Sequence, residues 1–158
     1  MDSNVKLFLE RAENEIDLAN IIFKISEDEK IQIGIFHLDK TQTFYSAVIS
    51  RCYYAIFYSA KAYLLNKNIK VEAPEEHKKA FEAFSKLVDS GKLDIELLNI
   101  YKSLIIKADE LLGIFKLEKG KRGNFTYQKI AQANKEPASE SIKNSIKFFK
   151  NINRILEK

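Results

Sequence analysis

The residue types most able to do chemistry lie in the stretch KGKRGNFTYQ, from Lys119 to Gln128. Lys119, Lys121 and Arg122 stand beside two glycines here, and Tyr127 follows the arginine within the same stretch. Cations with nearby glycine suit a turn that binds phosphate, but they are also common where a helix ends in solvent. The pattern alone slightly favours an exposed helix end.

Metal-binding and phosphate-loop motifs are absent from the sequence. The 2 histidines, His37 and His77, lie in different segments with no Glu-x-x-His or Cys-x-x-Cys spacing nearby. We therefore predict neither a metal nor another cofactor. Gly120 and Lys121 resemble the end of a phosphate loop, but Arg122 stands where a Ser or Thr should follow.

An aromatic cluster comprises Tyr53, Tyr54, Phe57 and Tyr58, and such side chains can stack on nucleic-acid bases. Aromatic side chains spread round the faces of one helix fill a core. A stacking platform would be exposed and interleaved with cations. Core packing is therefore the favoured interpretation.

Two carboxylates, Glu75 and Glu76, precede His77. Acidic residues are expected at a helix start because they interact favourably with the helix dipole. We interpret His77 as a solvated or locally paired surface residue. It could reach a substrate if the fold places it near the basic stretch.

Composition predicts one helical domain over residues 1–158, since 46% of the residues are hydrophobic and only 5 are Gly and 2 are Pro. The formal net charge of +4 permits an acidic or nucleic-acid partner without requiring one. Cys52 is the only cysteine, and its apolar surroundings predict a packed thiol. With no secretion signal at the start of the sequence, we expect a cytoplasmic location.

Hydrophobic periodicity predicts five helices. The first becomes uncertain after Ser26, and we interpret Glu27 to Lys40 as a frayed helix end and connector. The second is FYSAVISRCYYAIFYSAKAYLL, from Phe44 to Leu65. Its two cations, three serines and five tyrosines favour an interior helix over a membrane span.

Breaker and capping residues set the limits of the other helices. Pro74 is predicted in the first turn of the third helix, and Gly91 follows its end. Asp94 can cap the fourth helix, and Pro137 can occupy the first turn of the last. The expected fold is all-α, an antiparallel four- to five-helix bundle with short connections.

Three stretches together resemble the HEPN superfamily, the higher-eukaryote and prokaryote nucleotide-binding domains. They are FYSAVISRCYYAIFYSAKAYLL, EEHKKAFEAFSKLVDSGKL and an Arg-x-x-x-x-Tyr turn. The resemblance implies a helical bundle that forms a homodimer, often encoded beside a minimal nucleotidyltransferase in toxin–antitoxin modules. Active members are metal-independent endoribonucleases whose motif is an Arg followed four to six residues later by a His.

Carried onto this sequence, the resemblance assigns the motif arginine to Arg122 and its catalytic partner position to Tyr127. It implies that Arg122 contacts the scissile phosphate, with Lys119 and Lys121 raising the local potential. Tyr127 stands where the histidine would be, and a phenol is a poor general base at neutral pH. Arg51 and His77 are further candidates for contact with phosphate. With the resemblance included, a phosphate site becomes the favoured interpretation of the basic stretch.

Three functions remain open. The first is binding of RNA or a nucleotide in a toxin–antitoxin-like or defence setting, with cleavage weak or absent. The second is an active endoribonuclease in which Tyr127, or His77 brought in from elsewhere, replaces the missing histidine. The third is an interaction module for a nucleotidyltransferase, with Tyr127 as a possible acceptor of a nucleotide. We rank binding first because the sequence supplies a phosphate anchor clearly and a proton carrier poorly.

Overall fold

The computed structural model describes residues 1–112 and 135–158 of the 158-residue chain. Helices account for all the regular structure in these two ranges. They are α1 (Ser3–Glu27), a short π-helix (Ile31–Ile35), α2 (Tyr45–Asn66), α3 (Glu76–Asp89), α4 (Ile95–Leu112) and α5 (Lys135–Leu156). The prediction of an all-α helical bundle is confirmed.

Helix α2 lies at the centre of the bundle. It packs against α1, α3, α4 and α5, and 14 of its 22 residues are buried. Burial on nearly all sides explains why its sequence is apolar all round rather than along one stripe. Over the part of the chain that the structure describes, no helix combines the length and the apolarity that crossing a membrane requires.

Three aromatic rings join α3, α4 and α5 beside the central helix. The Phe84 ring centroid lies 5.5 Å from that of Tyr101 and 5.4 Å from that of Phe148, and all three side chains are fully buried. Tilted and edge-on contacts of this kind are favourable beyond the area they bury. This contact fixes the outer helices against one another.

The connector after α1 differs from the frayed segment that the sequence predicts. Residues Ile31–Ile35 form a π-helix, and the buried side chain of Gln32 holds it in place. The Gln32 amide donates to the Ile25 carbonyl at 2.8 Å and accepts from the Gln42 N–H at 2.8 Å. Hydrogen bonds to both sides of the connector give it a definite structure.

The start of α3 also differs from its prediction. Pro74 lies before the helix rather than in its first turn, because α3 begins at Glu76. Glu75 has a φ of 56°, in the left-handed region, so the chain cannot continue helically from Pro74 into Glu76. The helix therefore starts abruptly, with His77 as its second residue.

The other predicted boundaries are confirmed. Gly91, with a φ of 76°, follows α3 at a position that favours glycine. The Asp94 carboxylate accepts a hydrogen bond from the Glu96 N–H at 2.9 Å and caps α4. Pro137 lies in the first turn of α5.

Candidate functional site

The site residues predicted from the sequence fall into two groups. Lys119, Lys121, Arg122 and Tyr127 lie outside the described residues, so their contacts remain predictions. Arg51 and His77 are both described, on α2 and α3. The site that the structure presents is therefore built round these two.

Arg51 and His77 belong to one group of cations and aromatic rings, which we call the cation–aromatic cluster. It lies where α1, α2 and the start of α3 meet, and its members are Phe8, Arg11, Glu15, Arg51, Tyr53, Tyr54, Phe57, Tyr58, Lys61, Glu76 and His77. Residues 51, 54, 58 and 61 recur at intervals of three or four, so they share a face of α2. Residues 8, 11 and 15 do the same on α1. The two faces meet and bring the cluster together.

Arg51 pairs with Glu15 across the α1–α2 contact. Its Nη1 lies 3.2 Å from one Glu15 oxygen, and it donates a long hydrogen bond of 3.5 Å to the other. The guanidinium also lies over the Tyr54 ring, 5.0 Å from its centroid. Burial raises the pKa of Glu15, while the Arg51 charge and hydrogen bond act against that rise. The pair is partly buried and keeps Arg51 at the surface of the cluster.

Two further cations contact rings of the same cluster. The Arg11 guanidinium lies 5.7 Å from the Tyr58 centroid. The Lys61 ammonium lies 4.6 Å from the Phe8 centroid and forms an ion pair with Glu76. Arg11 is exposed and makes no ion pair with any described residue, so its charge is available to a ligand.

His77 is held against α2 by a hydrogen bond and a ring stack. Its Nδ1 lies 2.8 Å from the Tyr53 hydroxyl oxygen. Its ring stacks on Phe57 with centroids 4.1 Å apart and planes 22° apart. Within the described part of the chain, Nε2 makes no hydrogen bond, and the residue is only half-buried. The orientation of the imidazole is thus fixed, and its Nε2 has no hydrogen bond to a described residue.

The surroundings of His77 favour its neutral form. Burial lowers the pKa of His77 from its ordinary value of 6.5; the neighbouring Glu76 opposes this effect and Lys61 adds to it. Tyr53 is fully buried, and burial raises the pKa of its hydroxyl. The charges of Tyr101, Tyr54 and Asp109 would raise it further. Tyr53 therefore stays protonated at neutral pH.

These contacts correct two interpretations drawn from the sequence. His77 is not a solvated or locally paired surface residue, because its partner Tyr53 lies 24 residues earlier and its ring is stacked on a core side chain. Core packing is correct for Tyr53 and Phe57, which are buried. Tyr54 and Tyr58 are only partly buried, and each has a guanidinium over its ring, so they meet the expectation of nearby cations for a stacking platform but not the expectation of full exposure.

Sequence reasoning missed Arg11, Glu15 and Lys61 as members of the cluster. The sequence did contain a signal for such partners, because Arg51 and Lys61 are the only charged residues of α2. A charge on an interior helix must be paired or solvated, so each of the two predicts an acidic partner or contact with water. The structure supplies Glu15 for the first and Glu76 for the second. Lys61 also lines an open cleft of about 240 Å³ between α1 and the end of α2.

Cys52 lies on α2 near Ser145 of α5 and is not a member of the cation–aromatic cluster. It is fully buried, and burial raises its pKa to about 12, so it stays a thiol at neutral pH. The predicted packed thiol is confirmed. Among the residues that the structure describes, no three His, Cys, Asp or Glu side chains converge as metal ligands.

Comparison with known proteins gives one partial likeness. The chain is 40% identical over 55 residues to a protein of Methanocaldococcus jannaschii named "Putative toxin MJ0142". That match spans 34% of this chain and 35% of the other protein, about a third of each. No family model matches the chain. No solved structure matches it either.

Proposed function

We propose that the protein binds single-stranded RNA or a nucleotide through its phosphates, within a toxin–antitoxin-like setting, and cleaves RNA at most weakly. In this proposal Arg122 is the main phosphate contact, and Lys119 and Lys121 raise the local potential. Arg51 and His77 extend the binding surface on the described face of the bundle. Tyr127, in place of the histidine that the HEPN resemblance would require, is the reason for weak cleavage.

The observation that carries the proposal is the cation–aromatic cluster. Arg11 and Arg51 each lie over a partly buried tyrosine, at 5.7 Å and 5.0 Å from the ring centroids. Proteins that bind single-stranded nucleic acid without strong sequence preference combine cations, which contact the backbone, with aromatic rings, which stack on bases. Glu15 and Glu76 neutralise part of this charge, so the binding should be of moderate strength and sensitive to salt.

The toxin–antitoxin-like setting rests on two supports. One is the name of the partly matching relative, which calls that protein a toxin. The other is the resemblance of three stretches to the HEPN superfamily. On the same basis we propose a homodimer and a minimal nucleotidyltransferase as partner. The helical bundle is compatible with these proposals but is shared by many unrelated functions.

Binding is tested with fluorescently labelled single-stranded RNA by anisotropy at several salt concentrations. Arg122→Ala should weaken binding by roughly 1–3 kcal/mol, the scale of a lost charge-assisted contact. Arg11→Ala should lower the slope of log affinity against log salt by about 1, since one phosphate contact is lost. Arg154→Ala is the matched control, because Arg154 is exposed and hydrogen-bonds to Asn151 within α5.

The outcomes separate cleanly. Equal losses in Arg11→Ala and Arg154→Ala would mean that binding follows net charge rather than this face. Unchanged affinity in a folded Arg122→Ala variant would remove the basic stretch from the site. Wild-type protein that binds neither RNA nor nucleotide would overturn the proposal.

A further inference from the structure

We propose that the open cleft beside Lys61 is a binding site for a small aliphatic carboxylate. The anionic group would contact the Lys61 ammonium, and the hydrocarbon chain would cover the apolar floor of the cleft. The cleft, of about 240 Å³, lies between the start of α1 and the end of α2 with the segment that follows it. This inference does not depend on RNA binding, so the two proposals can fail separately.

The first observation is the position of the Lys61 ammonium. The Lys61 side chain is only 13% exposed, and lysine is seldom buried to that extent. Its Nζ lies 4.6 Å from the Phe8 ring centroid and 5.5 Å from that of Phe57. Glu76 forms an ion pair with it on another side. The ammonium is therefore held against the cleft instead of extending into solvent.

The second observation is the unused hydrogen-bonding capacity of this ammonium. A lysine ammonium has three N–H donors, and among the described residues Glu76 accepts its one hydrogen bond. A donor that is removed from bulk water without an acceptor costs free energy. The remaining donors therefore favour a ligand that brings oxygen acceptors into the cleft. An ionised carboxylate is well suited, because its hydrogen bonds with an ammonium are charge-assisted.

The third observation is the apolar floor of the cleft. Five of the residues that line it have aliphatic or aromatic side chains: Phe8, Leu64, Leu65, Ile69 and Val71. Phe8, Leu65 and Ile69 are only partly buried, so a hydrocarbon chain would remove more of their apolar surface from water. The volume is below the about 300–1,000 Å³ that is usual for pockets of drug-sized ligands. A short chain therefore fits this cleft better than a long one.

The charges round the cleft favour a ligand with a single negative charge. Lys70 lines the cleft, is exposed and makes no ion pair with a described residue. Glu72 also lines the cleft, and Glu76 is paired with Lys61. The two lysines balance the two carboxylates, so an anion is attracted mainly by direct contact with an ammonium. The second charge of a phosphate monoester would add repulsion from the glutamates, and a carboxylate avoids it.

The probe for this site is octanoate, which is titrated into the full chain while NMR chemical shifts are recorded. Signals of Leu64, Leu65 and Val71 should shift together and saturate. Octanol is the matched ligand, because it has the same chain without the charge. It should bind about 10-fold more weakly, the lower end of the range for a hydrogen bond to a charged group. Ile35 and Phe36 of the connector are an internal control, because they are exposed apolar side chains outside the cleft.

Substitutions at Lys61 test the contact with the anion. Lys61→Met keeps the packing of the side chain on Phe8 and removes the charge. It should weaken octanoate binding about 10-fold and leave octanol binding unchanged. Lys61→Arg keeps the charge and should bind octanoate much as the wild type does. Lys67→Met is the matched control, because Lys67 is an exposed lysine at the end of α2 that does not line the cleft.

The outcomes each decide a point. Equal affinity for octanoate and octanol would overturn the role of Lys61, and so would unchanged octanoate binding in Lys61→Met. Shifts that reach Ile35 and Phe36 equally would mean adsorption to exposed apolar surface and would overturn the site. No shift at all would mean that water alone completes the hydrogen bonds of Lys61, which also overturns it. If Lys61→Met does not fold, the comparison of the two ligands on the wild type still decides.

Discussion

At the scale of single residues, His77 is half-buried, yet it keeps one ring nitrogen without a hydrogen bond to a described residue. The hydroxyl of Tyr53 and the ring of Phe57 satisfy one nitrogen and one face of the imidazole. The other nitrogen has no partner among the described residues. Half-burial of a titratable group in this way is typical of functional sites, although structural networks also produce it.

Stability should respond to the pH at which His77 takes up a proton. Because the pKa of His77 is lowered in the folded state, the unfolded state binds more protons between that pKa and the ordinary value of 6.5. The free energy of unfolding should therefore fall as the pH drops below about 6.5. His77→Gln should flatten this part of the profile, measured by thermal unfolding between about pH 5 and about pH 8.

The same comparison has an internal control. His37→Gln should leave the profile as in the wild type, since His37 is exposed. The raised pKa of Glu15 acts with the opposite sign and contributes equally to all three proteins, so the difference between them isolates the histidine. A wild-type profile that coincides with that of His77→Gln would contradict the lowered pKa.

At the scale of elements, the helices are defined by local signals at their ends. Asp2 accepts a hydrogen bond from the Asn4 N–H at 2.7 Å at the start of α1, and Asp94 accepts one from Glu96 at the start of α4. Helix α3 lacks such a cap, because Glu75 is left-handed and makes no side-chain hydrogen bond there. It depends instead on packing and on the pairing of Glu76 with Lys61.

The cap of α4 gives a direct test of this difference. Asp94→Ala should lower the free energy of unfolding by about 1 kcal/mol, because the Glu96 N–H loses its acceptor. Asp94→Ser keeps an acceptor in place and should lose much less. The midpoint of urea unfolding measures the change, with the slope m expected to stay constant. Equal losses in the two variants would mean that charge, rather than the cap hydrogen bond, matters at this position.

At the scale of the whole molecule, one central helix serves both the core and the candidate site. Helix α2 places Tyr53 and Phe57 inside, and Arg51 and Lys61 where they reach α1 and α3. A change that shifts α2 would alter stability and site geometry together. For this reason the proposed tests compare substitutions that keep the ring or the charge with ones that remove it.

Assembly is the prediction that belongs to the whole molecule. We expect a homodimer, because the resemblance implies a site composed from two copies and because the amphipathic seams exceed what the helices need alone. Light scattering at micromolar concentration should give twice the mass of the 18.3 kDa chain. A monomer at that concentration would remove the composite site, while the binding face described on one chain could still act alone.

The sequence by itself determined the class of fold and most helix limits. Periodicity predicted the amphipathic helices, and Gly91, Asp94 and Pro137 marked boundaries that the structure confirms. These features depend on residues within a turn or two of each other. The composition of α2 likewise predicted an interior helix, since only burial on all sides accommodates so apolar a segment.

Only the tertiary structure decided which side chains meet. His77 and Tyr53 are 24 residues apart, and Arg51 and Glu15 are 36 apart, so both contacts depend on how α1, α2 and α3 are oriented. The start of α3 at Glu76 depends on the strained, left-handed backbone of the residue before it. The π-helix depends on the hydrogen bond from Gln32 to Gln42, ten residues later. Packing between helices sets the neighbours of a side chain, and hydrophobic periodicity alone does not specify that packing. For this reason the sequence predicted His77 as a surface residue.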